Sequence, residues 1–284
     1  MKFLNEQCHT TAKMPINPYF ISLFATKLAE DKRSNTIQGY LSAIAFMHIK
    51  AGVDDTTKNP SVSLTLQGIK RTEPVLLDKK LKPIEKDLLH KMVEAIPFSC
   101  FDVYSCSLVK SLFLLTFYAC LRAGEIVHSD KTDHTLCLRH LKEHNNSYTI
   151  TFESYKHSGQ LPPISDDQDS DLPQIVLHAL EDKVHCPVRA LKAFLRMRGG
   201  KSGPIFINKE GQPIKRTQLT NWMKKTLEMA GMPPARYNTH SFRIGRTTQL
   251  ARDGYSDEII RRTGRWKSNA YKDYIRINTF QLPK

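Results

Sequence analysis

His240 and Arg243 stand three residues apart in Asn238-Thr239-His240-Ser241-Phe242-Arg243, ahead of Gly264-Arg265-Trp266-Lys267-Ser268 and then Tyr271 and Tyr274. On a helix such a His and Arg share a face. A guanidinium stays charged and donates in a planar fork, and an indole N–H donates one hydrogen bond. A phenol is a poor nucleophile at its ordinary pKa, but flanking cations help it ionise as it attacks. Together these groups can hold a phosphodiester and attack it with a tyrosine. Negative charge grows on the equatorial oxygens during that attack, and fixed cations aimed at those oxygens lower the barrier.

Three upstream residues suit the same chemistry. Arg122 follows the apolar run Ala119-Cys120-Leu121, and Glu125 lies three residues on. An arginine there needs a partner, and Glu125 can either pair with it or steer it toward a phosphate. Lys156 precedes His157-Ser158-Gly159 at a hairpin turn, where its ammonium can reach over a cleft and protonate a leaving oxygen. Each residue also has a plain structural reading. Arg122 can end a helix paired with Glu125, and Arg243 can belong to a solvated basic helix with Arg236, Arg246 and Arg252. Lys156 can be an exposed turn lysine, Trp266 a core residue, and either tyrosine a packed ring with a wet hydroxyl. The ordered set of all of them is what points to chemistry.

The elements that must position these groups divide the chain into a mainly α architecture with a small β-sheet, an α+β chain. Residues 12–74 read as an all-helical module. Phe20, Leu23, Phe24 and Leu28 form one periodic set, and Ile37, Tyr40, Leu41, Ile44 and Met47 a second helix capped by Ser34 or Asn35. Pro60 opens a third helix through Val62, Leu64, Leu66 and Ile69. Residues 75–82 read as a charged linker, and 83–284 as a larger domain. That domain opens with a helix over 84–96. A strongly apolar helix over 103–121 follows, buried on all sides, with Arg122 at its end. Short strands are expected at 135–138 and 148–152, with 175–177 returning to the sheet, and mainly helix from Pro187 onward.

With 284 residues, 40% of them hydrophobic, the chain can bury one large core or a small and a large one. No run of about 18 apolar residues predicts a membrane span. The opening Met1-Lys2-Phe3-Leu4-Asn5-Glu6 lacks the apolar core of a signal peptide, so an intracellular, unsecreted protein is expected. The six cysteines are scattered without a CxxC pair and read as free thiols. His185-Cys186 has no neighbours in sequence that complete a zinc-finger-like set, so no metal is expected. A formal charge of +14 favours polyanionic partners, although a basic surface also suits a protein with no nucleic-acid role.

Arg122-x-x-Glu125, Lys156, His240-x-x-Arg243, Trp266 and Tyr274, in that order, resemble the tyrosine recombinase (phage-integrase-like) family across nearly the whole chain. His240-Ser241-Phe242-Arg243-Ile244-Gly245, Gly264 to Tyr271 and Tyr274-Ile275-Arg276 look most like recombinases of eukaryotic mobile elements of the DIRS and Crypton kinds. The resemblance implies an N-terminal SAM-like core-binding domain and a catalytic domain, forming a C-shaped clamp on double-stranded DNA. It implies that Arg122 and Arg243 bind the scissile phosphate and that Lys156 is the general acid. His240 would assist proton transfer or contact the phosphate, Trp266 would stand where histidine is most frequent, and Glu125 would be a supporting residue. Tyr274 would be the nucleophile forming a 3′-phosphotyrosyl link, with Tyr271, one turn earlier, as the alternative. A homo-tetramer on two duplexes, a dimer per site, no cofactor and nuclear residence are further implications. A type IB topoisomerase-like enzyme and a domesticated, non-catalytic DNA-binding protein are the alternatives.

The chain departs from the family pattern in places. Cys120 stands where the family often has Gly, which is expected to alter packing only. Tyr274 lies one residue nearer Trp266 than is common. Only ten residues follow Tyr274, so a shorter exchanged segment or an incomplete C-terminus is expected.

Overall fold

In the computed structural model the described residues are 13–73, 81–100, 102–128, 134–153, 172–200 and 202–276. They fall in two compact units, Met1–Asp78 and Lys79–Lys284.

In the first unit, α1 (Pro18–Leu28), α2 (Ser34–Lys50) and α3 (Pro60–Thr72) surround Ile21, Ala25, Ile37, Leu41 and Val62. Proline at the first turn of α1 and of α3 suits a position whose N–H has no helical partner. Asn17 and Asn59 accept the exposed amides beside them. The buried faces are turned slightly from those the periodicity suggested. Leu23, Tyr40, Met47 and Leu64 are exposed, whereas Ile21, Ala25 and His48 are buried. His48 packs because both ring nitrogens are satisfied. One meets the Ile44 carbonyl at 2.9 Å, and the other accepts the Ile16 N–H at 2.9 Å. Neither Ser34 nor Asn35 caps α2 from its own side chain. The Glu73 carboxylate instead accepts the Ser34 amide, and this bond lowers the Glu73 pKa.

The second unit is built on α4 (Lys86–Ser99) and α5 (Val103–Tyr118). From Leu108 through Phe117 nine side chains of α5, including Leu108, Leu112, Leu115 and Phe117, are buried, as its all-round apolar sequence requires. The helix ends earlier than residue 121. The Leu121 N–H reaches back to the Thr116 carbonyl and the Cys120 N–H to the Phe117 carbonyl, at 2.9 and 3.0 Å. Cys120 sits at φ 49°, in the left-handed region. That pattern is a Schellman termination, whose left-handed position favours Gly. The difference at Cys120 is therefore one of backbone conformation and not of packing alone. Arg122 caps a new short helix, α6 (Ala123–Ile126), and does not end α5.

The sheet has three antiparallel strands in the order β1 (Leu141–Glu143), β2 (Ser147–Thr151), β3 (Gln174–His178). Leu141 opposes Ile150, and Tyr148 opposes Leu177. Tyr148 and Ile150 face the core while their neighbours alternate outward. The strand expected at 135–138 is an isolated bridge between Cys137 and Pro204, continuing into a 3₁₀ turn at Leu138–His140. Pro204 has no N–H to extend a ladder there. Four helices complete the unit: α7 (Pro187–Arg198), α8 (Arg216–Met229), α9 (Ser241–Arg252) and α10 (Asp257–Gly264). A 3₁₀ segment, Asn269–Tyr274, follows. Among the described residues no helix is long and apolar enough to cross a membrane.

Candidate active site

The ends of α5 and α10 and the starts of α6 and α9 build the site. The C-terminus of α10 repeats the termination of α5. The Trp266 N–H bonds to the Arg261 carbonyl and the Arg265 N–H to the Arg262 carbonyl, both at 3.0 Å. Arg265 takes the left-handed position at φ 54°. Both terminations leave carbonyls pointing away from their helices, and the site's arginines satisfy them. Arg243 on α9, 1% exposed, donates to the Cys120 carbonyl and, at 2.9 Å, to the Gly264 carbonyl. Arg122 reaches the Gly264 and Arg265 carbonyls, each at 3.3 Å. The alternative of a solvated basic helix at 243 does not hold, because Arg243 is buried on a helix packed by Phe242, Ile244 and Leu250.

Glu125 is the anion that binds this cluster. Its Oε1 accepts from the Arg122 side chain at 3.1 Å. Its Oε2 accepts the Arg122 backbone N–H at 2.8 Å and the Arg265 guanidinium at 2.6 Å. Burial pushes the Glu125 pKa up, but Arg265, Arg122 and Arg243 together outweigh it, and the carboxyl is held below its usual value. Three guanidiniums against one carboxylate leave the pocket cationic. Arg265 also donates to the Cys120 carbonyl at 3.2 Å and lies 4.0 Å over the Phe152 ring. Its burial is the largest influence lowering its own pKa. Arg265 was not picked out from the sequence. Nothing in its spacing separates it from the surface arginines nearby, because its role follows from a left-handed helix end.

The opposite wall is aromatic. His240 caps α9, with its backbone N–H held by the Asn238 side chain at 2.7 Å. Its Nε2 lies 2.7 Å from the Tyr274 hydroxyl. The Arg243 guanidinium stands 4.4 Å over the Trp266 ring and 5.8 Å from the Tyr274 ring. Trp266 meets Tyr274 edge-on, with centroids 5.0 Å apart. The Tyr274 backbone is pinned by Thr248, whose hydroxyl donates to the Tyr274 carbonyl at 3.2 Å and accepts the Arg276 N–H at 3.0 Å. Tyr271 points elsewhere. It is 1% exposed, packed with Leu250 and Ile260, and a hydrogen bond to Asp257 raises its phenol pKa.

The structure therefore brings together Arg122, Glu125, His240, Arg243, Trp266 and Tyr274. Lys156 lies outside the described residues.

With this geometry in view, the chain can be set beside known proteins. No family model matches it. It is 27% identical over 274 residues to an integrase/recombinase XerD homolog of Selenomonas ruminantium, covering 92% of this chain and 74% of that protein. The XerH site-specific recombinase, solved on a palindromic difH substrate after cleavage, superposes with a TM-score of 0.64 at 14% identity, over 98% of this chain and 72% of XerH. The integrase of the transposon Tn1549, solved with transposon right-end DNA, also gives a TM-score of 0.64, at 13% identity over 98% and 86% of the two chains. The fold is that of the tyrosine recombinases. In sequence and in fold the chain is similar to these recombinases and integrases.

Proposed function

We propose that this chain cuts and rejoins double-stranded DNA by site-specific strand exchange, with Tyr274 as nucleophile. The observation that carries the reading is the 2.7 Å bond from Tyr274 to His240 beside the buried arginines. The phenol oxygen attacks the scissile phosphorus while His240 Nε2 receives its proton. Arg122 and Arg243 turn their donors from the carbonyls of the helix ends to the equatorial oxygens as charge grows there. Arg265 and Glu125 hold those two arginines in register as positioning residues. Trp266 supports the Arg243 guanidinium from below. The bond to the 5′ oxygen breaks, and Lys156 supplies the proton for that leaving group. The product is a 3′-phosphotyrosyl link and a free 5′ hydroxyl. A 5′ hydroxyl from the partner duplex then attacks the link, the new phosphodiester forms and the tyrosine leaves. Each step exchanges one phosphate ester for another, so the bond energy is retained.

The finer placement is with mobile-element recombinases of the DIRS and Crypton kinds, supported by the His240–Gly245 and Gly264–Tyr271 stretches. Nuclear residence follows from that placement, and imaging a tagged chain in eukaryotic cells tests it. The working assembly is a tetramer on two duplexes with a dimer per site.

Incubation with nicked suicide duplexes from a randomised library, followed by mapping of the covalent adduct by mass spectrometry, tests the central reading. A phosphonucleotide on Tyr274 is expected. Tyr274→Phe and Arg243→Ala should both bind DNA and form no adduct or nearly none. Cleavage by Tyr274→Phe at the wild-type rate would remove Tyr274 as nucleophile. An adduct on Tyr271 would keep the chemistry and move the register. Supercoil relaxation without a partner duplex would favour the topoisomerase-like reading, and salt-sensitive binding without cleavage the non-catalytic one.

A further inference from the structure

A second cluster of chemistry-bearing side chains lies apart from the arginine pocket, where α4 meets the bend between β3 and α7. His90 and Glu94 stand one turn apart on α4, and Asp182 and His185 lie in the bend. One ligand atom from each of His90, Asp182 and His185 falls within 4.8 Å of the others. Asp182 is itself fixed, because its Oδ1 accepts the Val184 and His185 amides at 2.9 and 3.1 Å. Its Oδ2 lies 2.7 Å from His185 Nδ1. With the Asp182 carboxylate on Nδ1, Nε2 is the ring nitrogen of His185 turned toward His90 and Glu94 as a candidate ligand atom. His185 is 7% exposed, and its Nε2 is buried with no hydrogen-bond partner among the described residues. The Nε2 of His90 is in the same condition. Glu94 Oε1 lies 3.6 Å from His185 Nε2.

Two buried imidazole nitrogens without a hydrogen-bond partner among the described residues are costly, because each has lost its water. A carboxylate on Nδ1 with an unpartnered Nε2 is the arrangement that orients a histidine toward a metal. We infer that His90, His185 and Glu94 form a site for one zinc-like divalent cation, with Asp182 as the positioning residue behind His185. Imidazole nitrogens and a carboxylate oxygen suit zinc, and the donor set leaves room for water as a fourth ligand. The two rings are stacked with centroids 3.7 Å apart and planes 5° apart. Parallel rings send their lone pairs side by side and not to one point. His90, half-exposed and not held through a carboxylate hydrogen bond, is the ring that turns about its side chain to close the site. A cation there clips α4 to the bend that leads into α7. The sequence does not display this set, because His90 and Glu94 lie far upstream of Asp182 and His185.

Zinc titration into the full chain after chelator treatment, followed by calorimetry and thermal unfolding, tests the inference. One equivalent should bind and raise the unfolding temperature. His90→Asn and His185→Gln should each weaken that equivalent by about 10–100-fold. Cobalt(II) then reports the ligands: weak visible bands without thiolate charge-transfer absorption are expected, since no cysteine belongs to the set. The inference fails if zinc leaves the unfolding temperature unchanged. It also fails if the bound equivalent survives in both histidine variants, or if the cobalt spectrum shows thiolate bands from the chain's cysteines. None of these outcomes depends on DNA cleavage.

Discussion

Glu125 is the buried carboxylate of the arginine pocket. It is 1% exposed and neutralises part of the charge of Arg122, Arg243 and Arg265. Removing one partner of a buried ionic set leaves the others uncompensated, which costs about 3–5 kcal/mol. Glu125→Gln should lose that much unfolding free energy in urea. The pH dependence has a definite sign. Because the folded pKa of Glu125 is depressed, its stabilisation is present above the unfolded carboxyl value of about 4.3. It is lost as pH falls through the lower folded value. Wild type should therefore weaken steeply below about pH 4, and Glu125→Gln should show a shallower acid limb. Equal acid limbs in the two proteins would mean that Glu125 is not the titrating anion.

Helix endings carry the geometry at the next scale. Schellman terminations at Cys120 and Arg265 stop α5 and α10, and both present carbonyls to Arg243. A non-glycine residue in the left-handed region costs about 1–2 kcal/mol. Cys120→Gly removes that cost but loses a buried thiol and adds freedom to the unfolded chain. Its unfolding free energy should stay within about 1 kcal/mol of wild type. Cys120→Val, β-branched at the same φ, should be destabilised by about 1–3 kcal/mol. At Gly264 a side chain would overlap the Trp266 indole. Gly264→Ala should displace that ring from beneath Arg243 and slow cleavage on the order of a hundredfold. DNA affinity in a gel-shift assay should change little. Slow cleavage accompanied by lost binding would instead point to a general folding defect. Gly245 on α9 is a different case. A side chain there would run into the Ile84 backbone carbonyl, so Gly245→Ala should lower the unfolding temperature itself.

For the molecule as a whole, the formal charge of +14 favours encounter with a polyanion such as the proposed DNA substrate. Neutralising phosphates releases condensed cations, so affinity falls linearly on a log–log plot against salt. For six or more phosphate contacts the loss should be roughly a thousandfold between 50 and 200 mM salt. Fluorescence anisotropy at several salt concentrations measures it. A flat response would remove the polyanion as partner. Sedimentation of the chain with one duplex and with two should show a dimer, then a tetramer. A monomer that still cleaves would overturn the proposed assembly.

The candidates Arg122, Glu125, Lys156, His240, Arg243, Trp266 and Tyr274, with Tyr271 beside it, could be named from the sequence, because the chemistry of a phosphodiester restricts which side chains can act on it. The sequence by itself also determined the helical start at Pro60 and the buried course of α5, since proline placement and apolar density act locally. Periodicity was a weaker guide to the faces of α1 and α2. Leu23 and Tyr40 are exposed because hydrophobicity alone does not say which stripe finds a neighbour. The strand expected at 135–138 depended on a partner containing Pro204, which no local pattern reveals. Which of Tyr274 and Tyr271 neighbours His240 was not legible in the sequence and follows from packing. The two lie on one 3₁₀ segment, yet one meets the imidazole and the other packs with Leu250 and Ile260 and bonds to Asp257. Arg265, and the meeting of His90 with His185, belong to the same class. Residues distant in the chain become partners only when helix ends and loops converge, and that convergence is set by packing of the whole domain.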